Sequence, residues 1–371
     1  MDSWDTAEHI LCIRLDTIGD VIMTAPALTA LKAAQPRRRL TLMTSEAGAT
    51  AVPLIPAVDA VIVYDAPWLK ATEPRVDSRP EYAMIEQLRQ AKFDAAVIFT
   101  VYSQNPLPAA FLCYLADIPL RLAHCRENPY QLLSDWIKDL EPEQLRHEVR
   151  RQLDLVAQIG AQTPADPSFG GQLLSVSAEA LQQMQVRLLE LGIDLNQPWV
   201  VIHPGATAAS RRYPPESFAQ VARQLVSQGI PVVFTGTSPE AELVESIQQQ
   251  MQSPAHSLVG CLDLSQLAAL LKLTPLLISN NTAPVHLASA LGTPVVDLYA
   301  LTNLQHTPWG VANRVLFHDV PCRLCYKSIC PEGHHHCLRL VAPETVVQAA
   351  LELLAQPLAA NPTLFPLCLT P

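Results

Sequence analysis

Short, almost wholly apolar runs alternate with helix-length stretches along this chain, and the alternation stops once and begins again. HILCIRL at 9–15 leads through a turn at Asp16 to Gly19 into the helix-like VIMTAPALTALKAA and then a second run, RRLTLMTS. That is a βαβ unit, and strands without polar alternation belong to a parallel sheet covered on both faces. AVIVYD (60–65) and DAAVIFTVY (94–102) extend the sheet, with AAFLCYLA as a helical return. The pattern restarts at PWVVIHPGA (198–206). It continues through PESFAQVARQLVSQG, IPVVFTG, PEAELVESIQQQM, SLVGCLDLSQLAALLKL, PLLISN, APVHLASALG and TPVVDLYA.

Between the two series lies AQTPADPSFGG (161–171), whose Pro, Gly and small residues read as an interdomain linker. The predicted class is α/β, with two Rossmann-like, doubly wound domains facing across a cleft. Their expected bounds are 1–170 and 171–342, with 343–371 as a C-terminal helix, PETVVQAALELLAQ, and an irregular proline-dotted tail. A chain of 371 residues suffices for two cores. Its 49% hydrophobic and 16% charged residues exclude disorder over most of the length.

The 25 Lys+Arg against 35 Asp+Glu, a formal charge of -10, disfavour a broad nucleic-acid contact. No apolar run approaches the roughly 18 residues of a spanning helix, and MDSWDTAEHI lacks the regions of a signal peptide, so the expected address is the cytoplasm.

Ligands of doubly wound sheets lie at the carboxyl ends of strands, and four such loops carry polar residues. In RLDTIGDVIMTAP (14–26), Asp20 stands at a helix N-terminus, where the dipole favours an ionised carboxylate able to act as a base. The competing reading is that Asp20, like Asp16, caps the helix. In HPGATAASRRYP (203–214), backbone N–H groups, the Thr207 hydroxyl and the guanidinium groups of Arg211 and Arg212 suit a diphosphate, against a solvated arginine pair.

SNNTAPVHLASALGTP (279–294) places Asn281, Thr282 and the next N–H groups at a helix mouth with His286 one turn in. The alternative is a simple N-cap and a satisfied histidine. The fourth, CRLCYKSICPEGHHHC, holds Cys322, Cys325, Cys330 and Cys337 at x2, x4 and x6 spacings. A structural zinc, disulfides and packing thiols each fit that cluster. Of the other five cysteines, Cys12, Cys113, Cys125, Cys261 and Cys368, most lie in apolar or helix-like runs.

Taken in order, R-L-D-x-I-G-D-V, H-P-G-A with R-R-Y-P, S-N-N-T-A-P-V-H and C-x-x-C-Y-K-x-x-C-P resemble glycosyltransferase family 9, the heptosyltransferases of lipopolysaccharide core assembly. FDAAVIFTVYSQNPLPAA and HEVRRQLDLVAQIG belong to the same resemblance, which runs from about residue 9 to about 356. It implies a GT-B fold whose first domain holds the acceptor and whose second holds a nucleotide sugar, usually ADP-heptose. It further implies inversion at the anomeric carbon, no cofactor and no catalytic metal.

By the same resemblance Asp20 is the base and Arg211, with Arg212 beside it, the diphosphate ligand. Asn281, Thr282, Ala283 and His286 occupy the family's D-T-G-x-x-H motif at the sugar-diphosphate end of the donor. Gly19, Ser103 and Gln104 are the first-domain positions expected at the acceptor. Asn281 for Asp and Ala283 for Gly depart from the motif and bear on the donor sugar. Open alternatives are a different nucleotide sugar, or a binding protein that keeps the fold without turnover. A lipid-linked acceptor implies peripheral contact with the inner membrane, although no strongly basic amphipathic helix marks it.

Overall fold

The computed structural model describes residues 3–69, 72–141, 145–162 and 173–356. These fall into two compact units, the first comprising residues up to 162 with Leu173–Ser175, the second residues 176–356. The linker segment from 163 to 171 and the tail after 356, with Cys368, lie outside the described residues.

In the first unit β1 (His9–Ile13), α1 (Ile18–Ala34), β2 (Arg39–Thr44), α2 (Glu46–Ala49) and β3 (Ala60–Val63) are followed by α3 (Arg79–Ala91) and β4 (Ala95–Ile98). Then come α4 (Leu107–Leu115), β5 (Leu120–Cys125), β6 (Asp135–Lys138) and α5 (Glu148–Ala157). All strand pairs are parallel, in the order β3-β2-β1-β4-β5-β6. β1 and β4 at the centre are buried almost throughout, whereas every second residue of the edge strands β3 and β6 is exposed. One face of the sheet packs Leu11, Ile13, Met43, Ile98 and Phe93 against helical residues such as Leu112.

The second unit opens with α6 (Ala178–Glu190) and β7 (Val200–His203), then α7 (Pro215–Ser227), β8 (Val232–Phe234), α8 (Ala241–Met251) and β9 (His256–Ser257). It goes on with α9 (Leu264–Leu273), β10 (Leu277–Asn280), α10 (Ala283–Leu291), β11 (Val295–Leu298) and β12 (Asn313–Leu316), and ends on α11 (His336–Arg339) and α12 (Pro343–Leu354). The order β12-β11-β10-β7-β8-β9 is again wholly parallel. Counted from each unit's own first strand, both sheets read 3-2-1-4-5-6, the dinucleotide-fold order. Val346, Val347 and Leu353 of α12 lie in the same core as Ile202, Phe234 and Val296, so the helix expected in a separate terminal segment is built into this unit.

Both switch points, between β1 and β4 and between β7 and β10, fall beside loops singled out in the sequence. A ligand crevice forms where crossovers diverge to opposite faces and leave the carboxyl ends of the central strands uncovered.

Candidate active site

β1 ends at Ile13, and the next side chain, Arg14, is fully buried. A buried guanidinium needs its charge met, and three carboxylates meet it. Asp16 lies at 2.8 Å from Nε, Asp20 at 3.1 Å from Nη2 and Glu148 at 2.9 Å from Nη1. Burial works against the charge, but Asp16, Glu148 and Asp20 together hold Arg14 above the ordinary arginine range.

Glu148 comes from the first turn of α5, beside Arg151 and Gln152, all within 1% of full burial. Gln152 Nε2 donates to Glu148 Oε1 (2.6 Å) and to the Thr100 carbonyl (3.0 Å). Arg151 pairs with Asp139 at 2.6 Å. A polar layer therefore underlies the carboxyl ends of β1 and β4.

Asp20, third residue of α1, forms a capping box with Thr17. Its Oδ2 accepts from Thr17 N (3.3 Å) and Thr17 Oγ1 (2.9 Å), while Oδ1 faces Arg14. The capping geometry is thus present together with a cation contact, and the side chain keeps 23% of its exposure. One positive charge cannot neutralise three acids. Burial raises the Asp16 carboxyl above the usual range and Asp20 adds to the rise, against the opposing pull of Arg14 and of Gln104, whose Nε2 donates to Asp16 Oδ1 at 2.5 Å.

Gln104 therefore joins the loop after β4 to the loop after β1. Ser103 next to it is exposed, and Gly19 is buried in the first turn of α1. Ser45 Oγ donates to the Asp16 carbonyl at 2.6 Å, and Gly48 leaves room for that contact: a Cβ there would lie 2.2 Å from Thr44 Oγ1 and 3.1 Å from Asp16 O.

In the second unit the organising side chain is Asn280, the last residue of β10 and fully buried. Its Nδ2 donates to Pro204 O (2.7 Å) and its Oδ1 accepts from Tyr213 N (2.9 Å), so a single amide pins both ends of the loop 204–213. Within the loop, a 3-10 turn at Ala209–Arg211 brings Arg211 to the mouth of α10, where Nη1 donates to Asn281 O at a long 3.5 Å. Arg211 Nε is buried with no hydrogen-bond partner. Arg212 is exposed and donates from Nε to Ala206 O (2.7 Å), bracing the loop. Thr207 is exposed.

Thr282 is the N-cap of α10, its hydroxyl donating to Asn280 O (3.3 Å) rather than capping the helix. Ala283 is half-buried and His286 is 8% exposed. Asn281 turns inward: Nδ2 donates to Asp297 Oδ2 and to His306 O, both at 3.0 Å. Asp297 sits in β11 with no exposure. Burial pushes its carboxyl up to about 8 despite the Asn281 hydrogen bond and nearby Arg211, and its Oδ1 has no hydrogen-bond partner.

Cys322, Cys325, Cys330 and Cys337 are all free and half-buried. Burial raises the Cys337 thiol, and the neighbouring thiols of Cys330, Cys325 and Cys322 raise it further. Cys322 Sγ lies 3.8 Å from His334 Nε2. Among the described residues, no three His, Cys, Asp or Glu side chains are arranged to hold a metal ion, and no helix is long and apolar enough to cross a membrane.

Arg14, Glu148, Asn280 and Asp297 were not singled out in the sequence. The arginine two residues before Asp16 and an acid inside the apolar run TPVVDLYA were the available signals. Glu148 and Asn280 act through long-range contacts that local pattern does not carry.

Two dinucleotide-type units with their polar residues at the switch points define a two-domain α/β architecture of Rossmann-like halves. The family model for glycosyltransferase family 9 (heptosyltransferase) matches residues 82–336, and the chain belongs to that family. It is 24% identical over 357 residues to lipopolysaccharide heptosyltransferase 2 of Escherichia coli K12, covering 94% of this chain and 99% of that one. The solved glycosyltransferase family 9 structure from Veillonella parvula superposes with a TM-score of 0.75 at 24% identity, over 94% of this chain and 97% of that one. E. coli heptosyltransferase WaaC, solved with ADP-2-deoxy-2-fluoro heptose, does so with a TM-score of 0.66 at 19% identity, over 93% and 99%. The fold is accordingly GT-B.

Proposed function

We propose that this chain transfers a heptose from ADP-heptose to a hydroxyl of a lipopolysaccharide-type glycan, with inversion and without a catalytic metal, on the cytoplasmic side of the inner membrane. The observation that carries the reading is the loop 204–213, pinned by Asn280 with Arg211 at the mouth of α10. A cation, the N–H groups of a helix mouth and a helix dipole together suit the diphosphate of a nucleotide sugar. The relatives' names support this choice of sugar: one is a lipopolysaccharide heptosyltransferase and another was solved with an ADP-heptose analogue.

In this reading the acceptor oxygen attacks the anomeric carbon as the bond from that carbon to the diphosphate oxygen breaks. Asp20 takes the acceptor proton. Arg14 orients Asp20 through the 3.1 Å contact to Oδ1, and Gly19, Ser103 and Gln104 border the acceptor. Negative charge builds on the departing ADP, where Arg211 and the N–H groups of Thr282 and Ala283 stabilise it, with Arg212, Thr207 and His286 supporting the donor end. Loss of one such donor typically costs about 3 kcal/mol of barrier.

The inward turn of Asn281 favours a second reading, in which the donor carries another sugar. Its amide is committed to Asp297 and His306, so the sugar would meet a surface different from the family's acidic one. Thermal shift with ADP, GDP and UDP, followed by transfer assays with their sugars, decides between the two. ADP-heptose turnover that survives Arg211→Ala at a near-normal rate would remove the proposed donor site.

A further inference from the structure

Residues 326–335 have almost no regular structure, yet they hold the proposed donor loop at a single point. Ser210, next to Arg211 and 4% exposed, commits all three of its polar atoms to this segment. Ser210 N donates to Ser328 O (3.1 Å), Ser210 Oγ donates to Lys327 O (2.5 Å), and Ser210 O accepts from His335 Nε2 (2.6 Å). A carbonyl can only accept, so Nε2 of His335 carries a proton.

The segment's upstream end is tied to the loop after β11. Tyr326 N donates to Leu301 O (3.0 Å), and Asn303 N donates to Tyr326 Oη (3.1 Å). Leu301, Tyr326 and His335 all adopt left-handed backbone, with φ of 63°, 54° and 56°. Side-chain-bearing residues hold that conformation only where their surroundings over-determine it. The strained positions coincide with the attachment points.

We propose that the 326–335 segment is a brace for the donor-diphosphate loop, and that His335 is a positioning residue which fixes Arg211 through the Ser210 carbonyl. The inference rests on the reading of 204–213 as that loop. Of the four free thiols of the cysteine-rich motif, Cys330 lies within this segment, while Cys322, Cys325 and Cys337 flank it. Without the His335 bond, Ser210 O is left buried and unmatched, the 209–211 turn loosens, and Arg211 samples positions away from α10.

Calorimetry with ADP and steady-state transfer by the full chain test this. His335→Ala weakens ADP binding and lowers kcat/KM for the donor by about 3- to 10-fold, the range of one net hydrogen bond, and leaves the acceptor KM unchanged. His335→Gln, whose amide N–H reaches as far as Nε2, restores both to within about twofold. Arg339→Ala, at an exposed side chain of α11 outside the brace, behaves as wild type. If His335→Ala does not fold, Ser210→Ala, which removes only the Lys327 bond, shows the same weakening to a smaller degree.

Wild-type ADP affinity in both His335→Ala and Ser210→Ala overturns the brace while leaving the donor reading standing, and so does a change in acceptor KM equal to that in donor KM. Failure of the wild-type chain to bind ADP, GDP or UDP overturns both.

Discussion

Replacing Asp297 by Asn removes a charge-forming group from the interior with little change of shape, and the consequence depends on pH. The carboxyl is wholly buried and titrates at about 8 in the folded chain against an ordinary 3.8. Between those values the folded state keeps a proton that the unfolded chain has released, so stability falls as pH rises, and none of this loss is present below about pH 4. At about 1.4 kcal/mol per unit, the complete loss is about 6 kcal/mol. About 4 kcal/mol of it is already lost at pH 7, and about 1 kcal/mol more goes between pH 7 and pH 9.

The amide of Asp297→Asn keeps an acceptor for Asn281 Nδ2 but puts an N–H group where Oδ1 has no partner, an offset of about 1–3 kcal/mol that does not vary with pH. Urea titrations of both proteins at pH 7, 8 and 9 isolate the slope from the offset. Wild type should lose about 1 kcal/mol relative to Asp297→Asn across that range. Parallel stability curves would refute the argument that β11 buries a carboxyl kept neutral by desolvation.

Arg14→Met strips the buried cation from Asp16, Asp20 and Glu148 and should destabilise the first unit by about 3–5 kcal/mol at pH 7, the usual result of orphaning a buried charge. Chemical denaturation should show that deficit narrowing at pH 5, as the orphaned acids protonate. Thr17→Ala and Asp20→Asn separate capping from catalysis. The first should lose about 0.5–2 kcal/mol of stability with nearly normal transfer, whereas the second should keep most of its stability and lose about 100-fold or more in rate. Equal rate losses in the two would make Asp20 a cap alone. Asn281→Asp sets a second carboxyl against Asp297 and leaves His306 O unmet. It should lower the pH 7 melting point by the equivalent of about 1–3 kcal/mol, and an unchanged melting curve would show that the inward contacts contribute nothing.

The central strands were legible because burial on both faces demands unbroken apolar runs, as in HILCIRL and PLLISN. β5, β6, β9 and β12 were not. LRLAHC buries Arg121 and His124 inside a strand, Arg121 by donating to main-chain carbonyls such as Leu132 O at 2.8 Å and His124 through a 2.9 Å contact with Arg151 O. DWIK and NRVL lie on sheet edges, where one face needs no apolar cover. At the site, Gly-Asp and Arg-Arg were visible because small residues and charges at strand ends have few structural uses. Arg14 and Asn280 were hidden, since the first derives its meaning from Glu148, 134 residues away, and the second from Pro204 and Tyr213.

The two units answer opposite electrostatic demands with one topology. A helix following a strand at the switch point offers a positive end, and what it binds depends on what already occupies that end. In the first unit the N-terminus of α1 is filled by Asp20 of its own chain, backed by Arg14, so that end already carries a carboxylate, the proposed base, and leaves no place for a phosphate. In the second, Thr282 caps α10 without a side-chain bond, and Asn281, which could have filled the mouth, is drawn away by Asp297. On the proposed reading, that leaves the helix end and Arg211 for the donor's diphosphate. An acid at 281 would compete with that anion for the same positive end. Placing the carboxyl one strand over, at 297, where burial keeps it protonated at neutral pH, retains a partner for position 281 while leaving the anion site free of a fixed negative charge.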